Sequence, residues 1–269
     1  MKDQLNRTIQ LNKIPKRIIS LVPSQTELLC DLGLESSIVG ITKFCVHPNQ
    51  LKKEKTIVGG TKDVHFNKIR ALQPDLILCN KEENTLEMIQ ELETIAPVHI
   101  SDICTIEDCL ELIEMYGLMF SREKKANEIS NQIQALHEDF KEFIKDKPTL
   151  KTAYFIWKKP WMVAAKETFI DEMMQLNKFE NYFGHLKRYP EIELYEDKEE
   201  TAELVLLSSE PFPFKEKHKE VLRNYFPKAK ILVVDGEAFS WYGSRLIKAF
   251  DYFKSLYQGP LKTIVSNSR

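Results

Sequence analysis

The chain has 269 residues, enough for one large or two modest α/β domains, and 43% of them are hydrophobic, so it can form a full core. Its 38 basic and 40 acidic residues leave a formal net charge of −2. That balance excludes the electrostatic footprint of a nucleic-acid or anionic-membrane binder, and no window is apolar enough to predict membrane insertion. The five cysteines, Cys30, Cys45, Cys79, Cys104 and Cys109, are odd in number and scattered through apolar or helical stretches. They read as reduced core residues rather than a disulfide framework, and Cys104 and Cys109 lack the CxxC spacing of a zinc site. The opening Met1 to Leu11 has no apolar leader or small-residue cleavage site, which predicts no export signal in the sequence as it stands.

Strand and helix alternate through the first half. Ile18 to Val22 is a short apolar β-rich run that passes through Pro23-Ser24-Gln25-Thr26-Glu27 into a helix carrying Leu28, Leu29 and Leu32. Ser24 or Thr26 is the expected cap and Gly33 the expected stop. In open parallel sheets ligands bind at the carboxyl ends of strands, where a helix N-terminus offers free N–H donors, so this turn is a candidate ligand wall. Ile38 to Thr42 predicts a second strand, delivering the loop Lys43 to Asn49, and Ile57-Val58 a third, closing on Gly59 to Asp63. A helix with Ile69 and Leu72 ends at Pro74. Asp75 to Cys79 is the best buried strand of this half, followed by the loop Asn80 to Thr85, a helix with Leu86, Ile89 and Leu92, and the strand Pro97 to Ser101. Such alternation predicts a parallel sheet with right-handed crossovers.

From Thr105 the pattern becomes continuous helix. A second helical run, capped by Ser121, extends through Ile129, Phe140 and Phe143 to Pro148, long enough to bridge two bodies. The strand–helix rhythm then restarts: the strand Thr152 to Trp157, a turn over 158–166, a helix with Ile170, Met173 and Met174, then the strands Leu204 to Ser208 and Lys230 to Asp235. A final amphipathic helix carries Leu246 to Leu256. The expected architecture is therefore α/β in two lobes, each a parallel sheet flanked by helices, joined by one long rigid helix. Its boundaries are an N-terminal lobe over 1–120, the connecting helix over 121–147 and a C-terminal lobe over 148–269.

Such lobes would turn their strand-end loops toward a shared cleft, a favoured place for small molecules. Trp157, Trp161, Phe212, Phe214, Phe239, Trp241 and Tyr242 stand at successive strand ends of the second half and suit a large, flat, partly apolar ligand. Arg245 and Lys166 are candidates to meet its anionic groups. There is no GxSxG elbow, P-loop, GxGxxG or HExxH, and no histidine is placed to activate Ser24. His47, His65, His99 and His185 are dispersed singly, with His47 the most plausible metal candidate among them.

Taken together, Arg17-Ile-Ile-Ser-Leu-Val-Pro-Ser-Gln-Thr-Glu-Leu-Leu29, Leu32-Gly-Leu34, Val39-Gly-Ile41, Val58-Gly-Gly60 and Ile69-Arg-Ala-Leu-Gln-Pro-Asp-Leu-Ile77 resemble the helical-backbone substrate-binding proteins of ABC importers for cobalamin and ferric siderophores. Lys166 to Met174 with Phe179-Glu-Asn-Tyr-Phe183 is similar to the segment that family uses in its second lobe. The Pro-Ser-Gln-Thr-Glu turn and the Phe239-Ser-Trp-Tyr242 loop before an arginine bring the cobalamin-binding branch closer. The resemblance implies a non-enzymatic, monomeric binding protein with no cofactor or metal of its own, taking a cobalamin-like corrinoid or a ferric chelate. It implies a first-lobe wall from Pro23, Ser24, Gln25, Phe44, His47, Thr61 and Lys62, together with the Asn80 to Glu83 loop. The second wall would come from Trp157, Trp161, the Glu210 to Phe214 loop with Phe212 and Phe214, and Phe239, Trp241, Tyr242 and Arg245.

The family also implies an ABC permease partner and a periplasmic or cell-envelope location, whereas the missing leader leaves a cytoplasmic setting open. Where family members usually present an acidic docking residue, the first lobe here has His65-Phe-Asn-Lys-Ile69, so docking is expected to rest on Glu196 and Glu199. The alternatives are an intracellular enzyme or sensor acting on a tetrapyrrole or metal complex through His47 or Glu27, and a protein that binds a bare metal ion.

Overall fold

The computed structural model describes residues 1–195 and 201–267. The chain divides into two compact units, one of residues 1–133 with 242–245 and the other of residues 134–241 with 246–269.

In the first unit five short apolar segments form a parallel sheet: β1 (Ile18–Ser20), β2 (Ile38–Ile41), β3 (Thr56–Ile57), β4 (Leu76–Asn80) and β5 (Val98–Ser101), in the order β3-β2-β1-β4-β5. β1 sits in the middle, with Ile18 opposite Ile38 on one side and Leu76 on the other. Every residue of β1, β4 and β5 is buried, as a parallel sheet covered on both faces requires. The connections carry α1 (Pro23–Asp31), α2 (Leu51–Glu54), α3 (Phe66–Ala71) and α4 (Leu86–Glu93). Because the chain moves outward from β1 to β3 and then returns to β4 on the far side of β1, the strand order reverses between β1 and β4. Their carboxyl ends are the place where such sheets open to ligands.

α1 begins differently from expectation. Neither Ser24 nor Thr26 caps it: Val22 is the N-cap, and Pro23 opens the helix, where its missing N–H costs nothing. The Thr26 hydroxyl instead bonds Val22 O at 2.9 Å and Ser20 Oγ at 2.8 Å. The helix does end at Gly33, whose φ of 76° allows Gly33 N to reach Cys30 O and Leu34 N to reach Leu29 O, each at 2.9 Å.

Two helices close the first half. α5 (Ile106–Phe120) starts with a capping box between Thr105 and Asp108. Ser121, expected to cap the next helix, is instead the left-handed residue ending α5 at φ 52°, and α6 (Glu123–Ile144) follows after Arg122. Residues 123–133 of α6 count with the first unit and the remainder with the second. The N-terminal residues cover the edge of β5. Arg7 Nη2 bonds Val98 O at 2.8 Å, and Asp3 Oδ2 accepts from Ile100 N at 3.3 Å and pairs with Arg7 at 3.0 Å.

The sheet of the second unit is mixed rather than wholly parallel. β6 (Leu150–Trp157) is followed by β7 (Trp161–Val163), α7 (Phe169–Leu176), β8 (Phe179–Asn181), β9 (Glu191–Ile192), β10 (Leu204–Ser208), α8 (Lys217–Arg223), β11 (Lys230–Val234), α9 (Gly236–Ser240), α10 (Leu246–Gln258) and α11 (Lys262–Asn267). β11, β10, β6 and β8 run parallel as expected, whereas β7 pairs antiparallel with β6 and with β9. The reason is the brevity of Lys158-Lys159-Pro160, which can return the chain only as a hairpin, since a parallel partner needs a crossover of a dozen residues or more. Phe140 of α6 packs on Phe250 and Phe253 of α10 at ring separations of 6.0 and 5.9 Å, fixing the second half of the long helix to its own unit.

His99 gives the first unit a pH dependence. It is fully buried in β5 against the Tyr116 ring at 5.4 Å, and neither ring nitrogen has a hydrogen-bond partner among the described residues. Burial lowers its pKa to about 4, opposed by the charge of Asp3 and assisted to a smaller extent by that of Arg7. The unfolded chain takes up this proton below about pH 6.5, while folded His99 stays neutral to about 4, so stability present above 6.5 is lost as pH falls toward 4. His99 is expected to account for about 2 kcal/mol of lost stability between pH 7 and pH 5. Urea unfolding at the two pH values checks this: His99→Phe should flatten the difference by that amount, and an unchanged difference would contradict the assignment.

Candidate functional site

At the reversal point of the first sheet the Gln25 side chain is wholly buried. Its Nε2 lies 2.6 Å from Ser101 Oγ, 2.9 Å from the Tyr242 hydroxyl and 3.3 Å from Cys79 O, while its Oε1 accepts from the Tyr116 hydroxyl at 2.7 Å. Asn80 Nδ2 adds a bond to Ser101 Oγ at 3.0 Å. α1, β4, β5, α5 and the segment 242–245 thus share one buried polar network. The phenols of Tyr116 and Tyr242 are both raised by burial, so they act as hydroxyls throughout the ordinary pH range.

The same segment makes three further contacts. Gly243, at φ 85°, approaches α1 so closely that a Cβ there would stand 3.3 Å from Leu28 Cβ, and its N–H donates to Cys109 Sγ at 3.0 Å. Arg245 Nε donates to Glu27 Oε2 at 2.8 Å, with the two side chains only 11% and 5% exposed.

Other strand ends of this unit keep side chains at the surface. Phe44, after β2, is 48% exposed. Its ring rests on Gly60, where an added Cβ would come within 3.3 Å, and Lys43 Nζ stands 5.0 Å from its centroid. His47 and Thr61 are part-exposed and Lys62 is exposed. The 80–84 loop is built on its own asparagines: Asn80 Oδ1 accepts from Glu82 N, Asn84 Oδ1 from Asn80 N, and Asn84 Nδ2 reaches Thr61 O, each at 2.8 Å. Lys62 Nζ donates to Glu82 O.

In the second unit Trp157, at the end of β6, is 37% exposed, and the Phe212 ring meets it edge-on at 5.6 Å. Phe212 continues onto Phe214 at 4.7 Å, and Phe214 stacks on Trp161 at 6.2 Å, with Lys158 Nζ 5.4 Å from the Trp161 ring. Glu210, after β10, is bonded through Oε1 by Ser240 Oγ at 3.0 Å and Trp241 Nε1 at 2.7 Å. Burial, followed by the charges of Glu237 and Asp235, raises its pKa.

This geometry sorts the residues expected from sequence. Phe44, His47, Thr61, Lys62, Trp157 and Phe212 retain exposed surface beyond strand carboxyl ends, and Trp161 does so at the start of β7, across the hairpin from the end of β6. Pro23 and Ser24 lie buried in the first turn of α1. Gln25 and Tyr242 are spent on each other and on Ser101, because an amide in an apolar interior must find partners there. Phe239 is a core residue between Tyr154 and Phe253, at 5.2 and 4.9 Å, and Phe214 and Trp241 are also buried. Arg245 already has its counter-charge in Glu27. Glu196 and Glu199 lie outside the described residues. Among the described residues no group of three or more His, Cys, Asp and Glu side chains is placed to hold a metal ion.

A family model described as periplasmic binding protein matches residues 18–222. The chain belongs to that family. An uncharacterized ABC transporter substrate-binding lipoprotein, YvrC of Bacillus subtilis (strain 168), is 28% identical over 185 residues, 65% of this chain and 57% of that protein. A vitamin B12-binding protein of Pectobacterium atrosepticum is 27% identical over 178 residues, 64% of this chain and 63% of that protein. The chain thus spans about three-fifths of the length of these curated relatives. In fold it is similar to the periplasmic heme-binding protein RhuT from Roseiflexus sp. RS-1, with a TM-score of 0.76 at 15% identity, covering 90% of this chain and 98% of that one.

Tyr116 and Ser101 were not singled out in the sequence of this periplasmic binding protein. Ser101 carried a signal, a polar residue ending an apolar strand, whereas Tyr116 read as one more apolar position of α5. The Glu27–Arg245 pair is open to test, because removing one partner takes from a buried charge the counter-charge 2.8 Å away. Arg245→Met is expected to cost roughly 3 to 5 kcal/mol, and adding Glu27→Gln to restore most of it. Denaturant unfolding of both variants decides: equal stability of single and double variants would contradict the pairing energetics.

Proposed function

We propose that this periplasmic binding protein is the ligand-capturing component of an ABC-type importer and takes a cobalamin-like corrinoid or a related iron chelate, with no chemistry of its own. The observation that carries the reading is the pattern of exposure at the strand carboxyl ends. Gln25, Tyr242 and Arg245 are engaged inside the fold, while the rings of Phe44, Trp157 and Phe212 keep open faces or edges. Such surfaces bind by dispersion and shape, which suits a large flat macrocycle better than a small polar solute. The sequence likeness to vitamin B12-binding proteins supports the corrinoid in particular. A permease partner and a cell-envelope setting follow from the same reading.

Gel filtration with cyanocobalamin, hemin and several ferric siderophores, recording visible absorbance in the protein peak, tests it. Cyanocobalamin is expected to co-elute. Phe44→Ala and Trp157→Ala should each weaken retention about tenfold or more, since burying one aromatic ring contributes roughly 1.5 to 3 kcal/mol. A folded protein that carries none of these colours would overturn the proposal.

A further inference from the structure

Glu210 stands two residues beyond the end of β10, part-buried, at the same sheet edge as Trp157 and two positions before Phe212. Its carboxylate is held in one orientation. The indole N–H of Trp241 can only donate, so at 2.7 Å it fixes Oε1 as an acceptor. Ser240 Oγ reaches the same atom at 3.0 Å, its single proton shared with Gly236 O at 2.9 Å. Oε2 takes no hydrogen bond from the described residues and is not shut into the interior. The charged groups that act on Glu210 are Glu237 and Asp235, both acidic. The second unit's edge therefore offers an outward acceptor in a negative setting.

Resting on the corrinoid reading above, we infer that Glu210 is a specificity-determining residue, whose outward Oε2 accepts from primary amides on the ligand's rim and which turns away rims that carry carboxylates. The chemistry is asymmetric. Corrinoids bear acetamide and propionamide arms, which donate N–H groups, whereas porphyrins and many ferric chelates bear carboxylates, which only accept and are negatively charged. A carboxylate facing Glu210 would meet like charge in a partly desolvated place, with Glu237 and Asp235 behind it. Trp241 and Ser240 act as positioning residues, keeping the outward oxygen fixed.

The substitution Glu210→Gln inverts this surface without changing its size. Trp241 still requires an oxygen opposite its N–H, so the carbonyl of the new amide stays inward and its NH2 group turns outward as a donor. The experiment is a visible-absorbance titration of wild type and Glu210→Gln with two probes sharing one ring: dicyanocobinamide, with amide arms, and dicyanocobyrinic acid, with carboxylate arms. Wild type is expected to prefer the amide probe by at least about tenfold, the range for one hydrogen bond to a charged group. In Glu210→Gln the amide probe should weaken by about the same factor and the carboxylate probe strengthen. Glu210→Asp, which keeps the charge but shortens the reach, should lose amide affinity while still disfavouring the carboxylate probe, and it carries the test if the glutamine variant does not fold. Wild type binding cobinamide without preference, or either variant keeping wild-type affinities, would overturn this inference alone. Wild type binding neither corrinoid overturns the reading beneath it as well.

Discussion

The Gln25 amide, buried where the first sheet reverses its strand order, is the interaction on which the rest of that unit's edge depends. An amide in this position must satisfy two donors and an acceptor without water, and leaving one unmatched costs roughly 1 to 3 kcal/mol. It does so by drawing on four separate pieces of chain: Ser101 at the end of β5, Cys79 O in β4, Tyr116 on α5 and Tyr242 from a segment more than two hundred positions away in sequence. The last of these explains why residues 242–245 count with the first unit while the chain on both sides of them counts with the second. Gly243 against Leu28 and Arg245 against Glu27 then fix that segment along α1.

That arrangement determines which chemistry is left for a ligand. The place where an open α/β sheet ordinarily offers helix-terminal N–H donors is here headed by Pro23 and closed by an internal network. Under the proposed function, recognition would fall to the outer strand ends, where Phe44 is propped by Gly60 and Lys43, and in the second unit to Trp157 with Phe212. The loop bearing Phe212 is held by its own ring contact with Phe214 at 4.7 Å, and the neighbouring 80–84 loop of the first unit by its asparagine side chains. Rings held in advance lose little freedom on binding, which favours affinity for a rigid flat ligand.

The elements were legible because their signals are local. Apolar runs such as Leu76–Asn80, preceded by Pro74, and Leu204–Ser208, followed by Pro211, need no long-range information to read as buried strands. The antiparallel β7 was harder, since three residues, Trp161 to Val163, carry too short an alternation to distinguish a strand from a turn. The candidate site was legible as a set of strand ends and not as a set of contacts. Gln25 lies in the first turn of α1, and Tyr242 and Arg245 lie beyond α9, and their partners are set by pairings across the chain that no spacing reveals. Phe239 and Phe214 show the same limit from the other side, because loop aromatics and core aromatics have the same sequence signature until the neighbouring rings, Phe253 and Trp161, are in place.

Under the proposed function, a flat ligand is held at the strand carboxyl ends bearing exposed aromatic rings. Amide hydrogen exchange with and without saturating cyanocobalamin tests this most directly. Slowed exchange is expected in 43–48 and 60–63 of the first unit and in 157–161 and 209–214 of the second. Protection confined to the opposite edge of the first sheet, at 7–10 and 94–97, or to the surface around 182–195, would contradict it.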